Sequence, residues 1–360
     1  MKLKKLKFTD EKVFDTVKTM VSVVIALGIT FIVLALVSDD PFDSFTTMLS
    51  APLTKVRYIG DVIEQAVPLV FAGLACSLLF RTNLFNLGSE GIFYIGGVLT
   101  AYLASEVAIA SGVVHPLVCV LATGLFGGLL MLIPGFLKAK FNTNELVSSL
   151  MLNSIYLGVG MWFLRDYMQA PDYANFGSKL LLDTAKLPPL IENTNVTVSA
   201  FVAVAAVVLI YIFLYKTRTG FQVRMIGFNA SFARYAGMNA FSLFLLVHFI
   251  SGLLSGIGTS LQVISMYDRF VWAALPGLGF TGALVTMMAK NNPIAIFFVA
   301  FGISYLNVGA EIMSRNSDVP VEIISIVQAI LVLLISSQYF LRALREKQLL
   351  KEGMADGKRA

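Results

Sequence analysis

The stretch RTNLFNLGSEGIFYIGG, residues 81–97, places two asparagines and a glutamate between two long apolar runs. If this stretch continues as a helix, Asn83, Asn86 and Glu90 lie at positions i, i+3 and i+7 and share one face. Polar side chains inside apolar segments are costly and need a partner or a ligand. Two roles stay open for Glu90: a carboxylate that stabilises the first turn of a helix, or a direct role in a substrate path.

A second polar stretch, NTNELVSSLMLNSI at residues 142–155, has the same design. Asn144 is predicted to cap the following helix, with Glu145 in the first turn. Asn153 falls one third of the way into the apolar run, where its amide must find a partner helix, a cavity or a ligand. Gln262 and Asn307 pose the same question. Because these amides carry no charge, they favour a neutral, hydrogen-bonding solute over an ion.

No set of residues predicts an enzyme. The GLGFTG stretch, with Gly277, Gly279 and Gly282, matches the spacing of a dinucleotide loop but opens an apolar run and lacks the strand that such a loop requires. These glycines instead predict close helix contact or a broken helix, as do the glycine pairs with three residues between them at 124/128 and 252/256. The chain has no phosphate-binding loop of the G-x-x-x-x-G-K-[ST] type, and its two histidines stand far apart without a carboxylate cluster, so neither a metal centre nor a catalytic triad is indicated.

The composition predicts a membrane protein. Of 360 residues, 57% are hydrophobic and only 14% are charged, and the mean hydropathy is +0.79. About 20 apolar residues cross a bilayer as a helix. Runs of that kind predict an all-α polytopic fold with about ten transmembrane helices, some of them broken, at 17–37, 61–80, 88–107, 114–137, 145–164, 197–215, 241–263, 270–288, 292–312 and 320–341.

The distribution of basic residues predicts the orientation. With the N-terminus inside and ten spans, 20 of the 27 Lys and Arg residues fall in cytoplasmic segments and 7 in external ones. We therefore expect both termini to be cytoplasmic, with a basic tail at 1–16, a transmembrane domain at 17–341 and a second tail at 342–360.

Two segments outside the spans stand out by length. Residues 165–196 are predicted to form an external loop, which serves either as a surface for another protein or as a connector. Residues 216–240 begin with KTRTGFQVRMIGFNASFARYAGMN, which carries four basic residues and no acidic one. This segment predicts one or two short helices at the cytoplasmic membrane surface, or alternatively a basic loop resting on anionic lipid.

Four stretches in order resemble one family. GLACSLLFRTNLFNLGSEGIFYIGG is similar to the glycine-rich hallmark of ABC transporter permeases of the branched-chain amino acid and ribose class. NELVSSLMLNSI resembles the segment that marks the nucleoside and simple-sugar branch of that class. TGFQVRMIGFNASFARYAGMN resembles its cytoplasmic coupling segment, and GLGFTGALVTMMAKNNP its late glycine-rich span. Together with the intervening spans, the resemblance covers roughly residues 60–320.

The resemblance implies a permease subunit of an ATP-driven importer in the bacterial plasma membrane. The implied partners are an ATP-binding cassette subunit, a second related permease that forms a heterodimer, and an external substrate-binding lipoprotein. This chain would bind no cofactor, and the partner subunits would use the ATP. The implied solute is a nucleoside, with a simple sugar or a riboflavin-like compound as alternatives.

The mechanism implied is alternating access, driven through the coupling segment. The expected coupling residues are Arg224, Gly227, Asn229, Arg234, Tyr235 and Gly237. The expected residues of the substrate path are Asn86, Glu90, Asn153, Gln262 and Asn307. The rival from another class is an ion-coupled secondary transporter, which would need ionisable residues deep in the spans. The glutamates of this chain instead fall toward the ends of the spans.

Overall fold

The computed structural model describes residues 28–171, 173 and 176–317, and these residues fold as α-helices without a β-strand. The helices in chain order are α1 (Gly28–Val37), α2 (Pro41–Ser50), α3 (Val56–Arg81), α4 (Ser89–Glu106), α5 (Val114–Phe141), α6 (Glu145–Phe163), α7 (Ser199–Lys216), α8 (Arg218–Phe228), α9 (Ala230–Tyr235), α10 (Ala240–Met266), α11 (Leu278–Met288) and α12 (Pro293–Asn316). A π-helical turn, Leu164–Met168, continues α6.

Six helices of the described part are long and apolar enough to cross a membrane. They are α3, α5, α6 with its π-helical turn, α7, α10 and α12. The chain is therefore a multi-pass membrane protein, as its composition predicted. Leucines at i, i+4 and i+8 of α5, namely Leu121, Leu125 and Leu129, are more than half exposed, which is the pattern of a helix face in contact with lipid.

The predicted count of about ten spans is not established by these six helices. The predicted span at 320–341 and the tails at 1–16 and 342–360 lie outside the described residues, as does most of the span at 17–37. The predicted span at 270–288 is a helix only from Leu278, since residues 270–277 are not helical. Eleven residues make a helix of about 16 Å, which is too short to cross a hydrocarbon core of roughly 30 Å alone.

The prediction that Asn83, Asn86 and Glu90 share a helix face is wrong. Helix α3 ends at Arg81 and α4 begins only at Ser89, so residues 82–88 form a non-helical connection. Asn83 adopts a positive φ of 60° within this connection and is exposed. A left-handed residue after a helix ends it, and asparagine tolerates that conformation well.

Glycines allow α5 and α10 to approach closely. A Cβ atom added to Gly252 would overlap the carbonyl oxygen of Gly127, and one added to Gly256 would overlap that of Thr123. Gly128 lies against the ring of Phe249. The small-residue spacing of both helices therefore reflects direct backbone packing, as the sequence predicted.

The chain divides into two units, residues 55–305 and residues 1–54 with 306–360. In the larger unit, buried side chains of α3, among them Phe71, Leu74 and Leu78, belong to the main apolar core. In the smaller unit, Leu34, Met48, Ala310 and Met313 form a separate apolar cluster. The candidate site lies in the larger unit.

Candidate functional site

Glu90 caps the N-terminus of the short helix α11. Its Oε1 accepts a hydrogen bond from the Gly277 amide at 2.6 Å, and its Oε2 accepts from the amides of Gly279 at 2.7 Å and Phe280 at 3.2 Å. The side chain is fully buried. The first amides of a helix lack partners within it and carry partial positive charge, so a carboxylate here satisfies them and interacts favourably with the helix dipole.

The three glycines of GLGFTG make this capped break possible. Gly277 is the N-cap of α11 and has a φ of 77°, a left-handed conformation that glycine adopts without steric cost. A Cβ on Gly279 would overlap the backbone of Glu90, and a Cβ on Gly282 would overlap Ala72 of α3. The predicted broken helix with close contacts is thus present, and it meets the predicted glutamate.

Asn153 and Asn86 bind the backbone that leads into α4. The amide of Asn153, on α6, accepts from Gly91 N at 2.9 Å and donates to Leu87 O at 3.0 Å. Asn86 accepts from Gly88 N at 2.7 Å and lies 3.4 Å from Nε2 of His248 on α10. Both side chains are buried, so the structure brings Asn86, Glu90 and Asn153 together around the start of α4.

Gln262 differs from these residues because its amide oxygen has no partner. It lies on α10 and is 8% exposed, and its buried Oε1 makes no hydrogen bond within the described residues. An unsatisfied buried carbonyl costs about 1–3 kcal/mol, which a ligand could offset. Asn307, by contrast, lies on α12 in the other unit and is partly exposed.

Aromatic residues between α10 and α11 form a feature that the sequence reasoning missed. The Trp272 ring contacts two other rings, with centroids 5.8 Å apart for Tyr267 and Trp272 and 5.1 Å apart for Phe270 and Trp272. The hydroxyl of Tyr94, on α4, donates to the carbonyl of Trp272 at 3.2 Å. Their clustering within residues 267–272, five to ten positions after Gln262, was the available signal.

The segment at 165–196 packs along the same connection. Ser178 N donates to Phe270 O at 2.9 Å, and Leu181 N donates to Asp268 O at 2.9 Å. Lys186 binds Asp268 at 2.7 Å, and this hydrogen bond raises the pKa of Lys186 and lowers the pKa of Asp268. The segment is therefore in direct contact with the chain that leads into α11.

Glu64 forms a separate buried polar cluster near the start of α3. Its Oε1 accepts from the hydroxyls of Thr197 at 3.0 Å and Ser199 at 2.8 Å, at the N-terminus of α7. Glu64 thus binds side-chain hydroxyls beside the first turn of α7, whereas Glu90 binds the backbone amides of α11. The other oxygen of Glu64, Oε2, is buried without a hydrogen bond within the described residues, in contrast to the fully bonded carboxylate of Glu90.

The predicted coupling segment folds as two short helices, α8 and α9, as expected. Tyr235 and Phe228 expose 93% and 84% of their surface, and Asn229 caps α9 by accepting from Phe232 N at 2.9 Å. Gly237 has a φ of 79° at the end of the segment. Arg234 lies on α9.

Helix α8 lies directly against the end of α3. A Cβ on Gly227 would overlap the carbonyl of Arg81, so only glycine permits this contact. Arg81 in turn donates to Asn291 O, after α11, at 3.1 and 2.9 Å, and to the hydroxyl of Tyr215 on α7. The sequence reasoning did not single out Arg81, Tyr215 or Asn291. These residues come into contact because the C-terminal ends of α3, α7 and α11 lie close together.

The sequence profile of a family described as "Branched-chain amino acid transport system / permease component" matches residues 58–336. The glucose ABC transporter permease of Haloferax volcanii is 31% identical over 90% of this chain and 88% of that protein. The guanosine ABC transporter permease NupP of Bacillus subtilis is 26% identical over 90% of this chain and 93% of that protein. The nucleoside ABC transporter permease NupB of Lactococcus lactis is 26% identical over 91% of this chain and 92% of that protein.

A chain in the solved structure of PsaBC from Streptococcus pneumoniae in complex with Fab has 13% identity and a TM-score of 0.48, covering 82% of this chain and 94% of that chain. The profile match covers the capped break, the amides around α4 and the coupling segment together. The chain belongs to the permease family of branched-chain amino acid transport systems and is a transport component rather than an enzyme.

Proposed function

We propose that this chain is a permease subunit of an ATP-driven importer for nucleosides. The family match supports transport, and relatives named for guanosine and nucleosides support the solute. The observation that carries the solute chemistry is Gln262, a buried neutral amide with an unused oxygen. A neutral solute with hydrogen-bond donors can satisfy this oxygen, whereas an ion would favour charged ligands.

The residues of the proposed substrate path take two roles. Gln262 contacts the solute. Asn86, Glu90 and Asn153 shape the wall, because protein groups already occupy their polar atoms. The prediction made for Asn307 from the sequence remains a prediction. Trp272, partly exposed beside Tyr267, adds an aromatic face on which a nucleobase can stack.

Helix α11 links the path to the coupling segment. One end is held by Glu90, and the other is followed by Asn291, which binds Arg81. Arg81 also contacts Gly227 of α8. A displacement of α8 by an ATP-binding subunit is thereby transmitted to the capped break at Gly277, and the permease switches by alternating access.

The proposed coupling residues are Arg224, Gly227, Asn229, Arg234, Tyr235 and Gly237. The proposed partners are an ATP-binding cassette subunit that hydrolyses ATP, a second permease that completes a heterodimer, and an external binding lipoprotein that meets the segment at 165–196. This arrangement requires about ten spans with both termini in the cytoplasm of a bacterial cell. No cofactor is needed in this chain.

A simple sugar is the second candidate solute, because the Haloferax volcanii relative is named for glucose. The decisive experiment reconstitutes the full complex in proteoliposomes and compares the uptake of labelled guanosine and labelled glucose. ATP-dependent guanosine uptake supports the proposal. If only glucose is taken up, the solute is a sugar and not a nucleoside. Uptake that does not depend on ATP but follows a proton gradient would overturn the mechanism.

A further inference from the structure

A crevice of about 210 Å³ lies where α8 meets the ends of α3 and α11. It is lined by Phe80, Arg81, Arg224, Gly227, Phe228, Lys290 and Asn291. Three of these side chains are basic and none is acidic. The crevice therefore concentrates positive charge on the side of α8 that faces the helix bundle.

The two arginines lack a carboxylate partner within the described residues. The guanidinium of Arg81 lies 5.4 Å from the centroid of the Tyr215 ring, and that of Arg224 lies 5.1 Å from the same centroid. The ion pairs of the described part involve neither arginine. Cation–π contacts stabilise each guanidinium, but a neutral ring leaves the repulsion between two cations in place.

Helix ends account for part of this charge. The C-termini of α3, α7 and α11 lie nearby, and each supplies roughly half a negative charge. Together they amount to about one and a half charges, set against the two guanidinium charges of Arg81 and Arg224. A net positive charge remains, and it favours an anion.

Two buried polar atoms in the crevice residues also lack partners. Arg224 Nε, a donor, and Asn291 Oδ1, an acceptor that an anion does not satisfy, make no hydrogen bond within the described residues. The Nε–H group is a donor that needs an acceptor, and leaving it buried and unpaired costs free energy. An oxyanion placed beside the Arg224 guanidinium would accept from this donor and would bind more strongly than a neutral acceptor.

We infer that this crevice binds the phosphate group of an anionic phospholipid. The inference rests on the proposed position of the coupling segment at the membrane surface, where lipid head groups are the prevalent anions. Apolar surface for an acyl chain adjoins the cations: Phe228 is 84% exposed, and Phe80 stacks on Phe85, which is 40% exposed, at 5.0 Å. Such a lipid would fasten α8 to α3 and so stabilise the contact that transmits coupling.

The test measures lipid binding and thermal unfolding of the full-length chain in detergent. Phosphatidylglycerol is expected to remain bound in native mass spectrometry and to raise the unfolding temperature, and phosphatidylcholine is expected to do neither. Arg224→Gln removes the charge and should weaken phosphatidylglycerol binding by about tenfold or more. Lys140→Gln, a control at the exposed end of α5 outside the crevice, should bind the lipid as the unaltered chain does.

Equal lipid binding by Arg224→Gln and Lys140→Gln would overturn the inference, as would equal effects of the two lipids. If inorganic phosphate at millimolar concentration gives the same stabilisation, the ligand is free phosphate and the lipid assignment is wrong. If the assembled complex with its ATP-binding subunit no longer binds the lipid, the crevice is a protein contact instead. None of these readouts uses transport, so failure of the proposed solute leaves the lipid result unaffected.

Discussion

At the scale of single residues, the polar side chains of the bundle divide by whether protein groups satisfy them. Glu90, Asn86 and Asn153 have partners on the backbone, and their loss should affect folding first. Gln262 has an unused oxygen, and its loss should affect the solute first. Substitutions at these residues therefore distinguish side chains that stabilise the fold from a side chain that binds the solute.

Replacement of Gln262 by leucine should raise the KM for solute uptake roughly three- to tenfold, because one hydrogen bond to the solute is lost. The unfolding temperature should stay close to that of the unaltered chain, since Oε1 has no protein partner to lose. Uptake kinetics in proteoliposomes measure the effect. Ser154→Leu, at an exposed position of α6, is the control, and equal KM values for the two variants would contradict a contact with solute.

Glu90→Gln should destabilise the protein by about 1–3 kcal/mol. The amide group that replaces one carboxylate oxygen would face backbone N–H groups of α11, so donor would meet donor. Thermal unfolding in detergent checks this expectation. The exposed Glu192→Gln serves as the matched variant, and an unfolding temperature as high for Glu90→Gln as for Glu192→Gln would show that the cap is dispensable.

At the scale of helices, several pairs of helices are in close backbone contact at glycines. Such contact joins α5 to α10 at Gly127 and Gly252, α11 to α4 at Gly279, and α8 to α3 at Gly227. Inside a membrane, helices gain little from excluding water from one another, so close packing and hydrogen bonds carry more of their association. Each contact depends on the absence of one Cβ atom.

Gly252→Ala should lower the unfolding free energy by about 1–3 kcal/mol, because its methyl group would overlap the Gly127 carbonyl. Gly158→Ala on α6 is the control, since no atom lies within 4 Å of the added Cβ. That variant should match the unaltered chain or exceed it slightly, because alanine is the better helix former. Thermal unfolding of both variants measures the difference. Equal losses of stability in Gly252→Ala and Gly158→Ala would contradict the expectation.

Replacing Arg234 and Tyr235 together by alanine should leave ATP hydrolysis in the reconstituted complex but abolish most ATP-driven uptake. Tyr235 is 93% exposed, so its replacement should spare the fold and remove only a contact with the ATP-binding subunit. Phe141→Ala, at the exposed end of α5, provides the comparison. Unchanged ATP-driven uptake in the double variant would contradict a role of α9 in coupling.

At the scale of the whole molecule, the proposed orientation places the C-terminal end of α5 and helix α8 in the cytoplasm. It places the segment at 165–196 outside. Cysteine labelling suits this chain because Cys76 and Cys119 are both fully buried. In intact cells, a membrane-impermeant maleimide should label Glu192→Cys but not Lys140→Cys. Opening the membrane should expose Lys140→Cys as well, and the reverse pattern would invert the topology.

The sequence by itself determined the class of the protein and much of its local structure. Apolar length predicted the membrane helices, and the short-range signal of Asn144 predicted the cap of α6, where its side chain accepts from Leu146 N and Val147 N. Glycine spacing predicted both the α5–α10 contact and the break near Gly277. These features depend on neighbours in the chain or on the period of one helix, which is why a sequence reveals them.

Only the tertiary structure decided what the polar residues meet. Glu90 and Gly277 are 187 positions apart, and no local pattern pairs a carboxylate with the amides of a distant half-helix. The break between α3 and α4 was predicted, but the contacts of its polar residues were not, since Ser149 and Asn153 of α6 hold the connection at 82–88. In a bilayer every freed backbone group needs a protein partner, and the packing of distant helices supplies those partners.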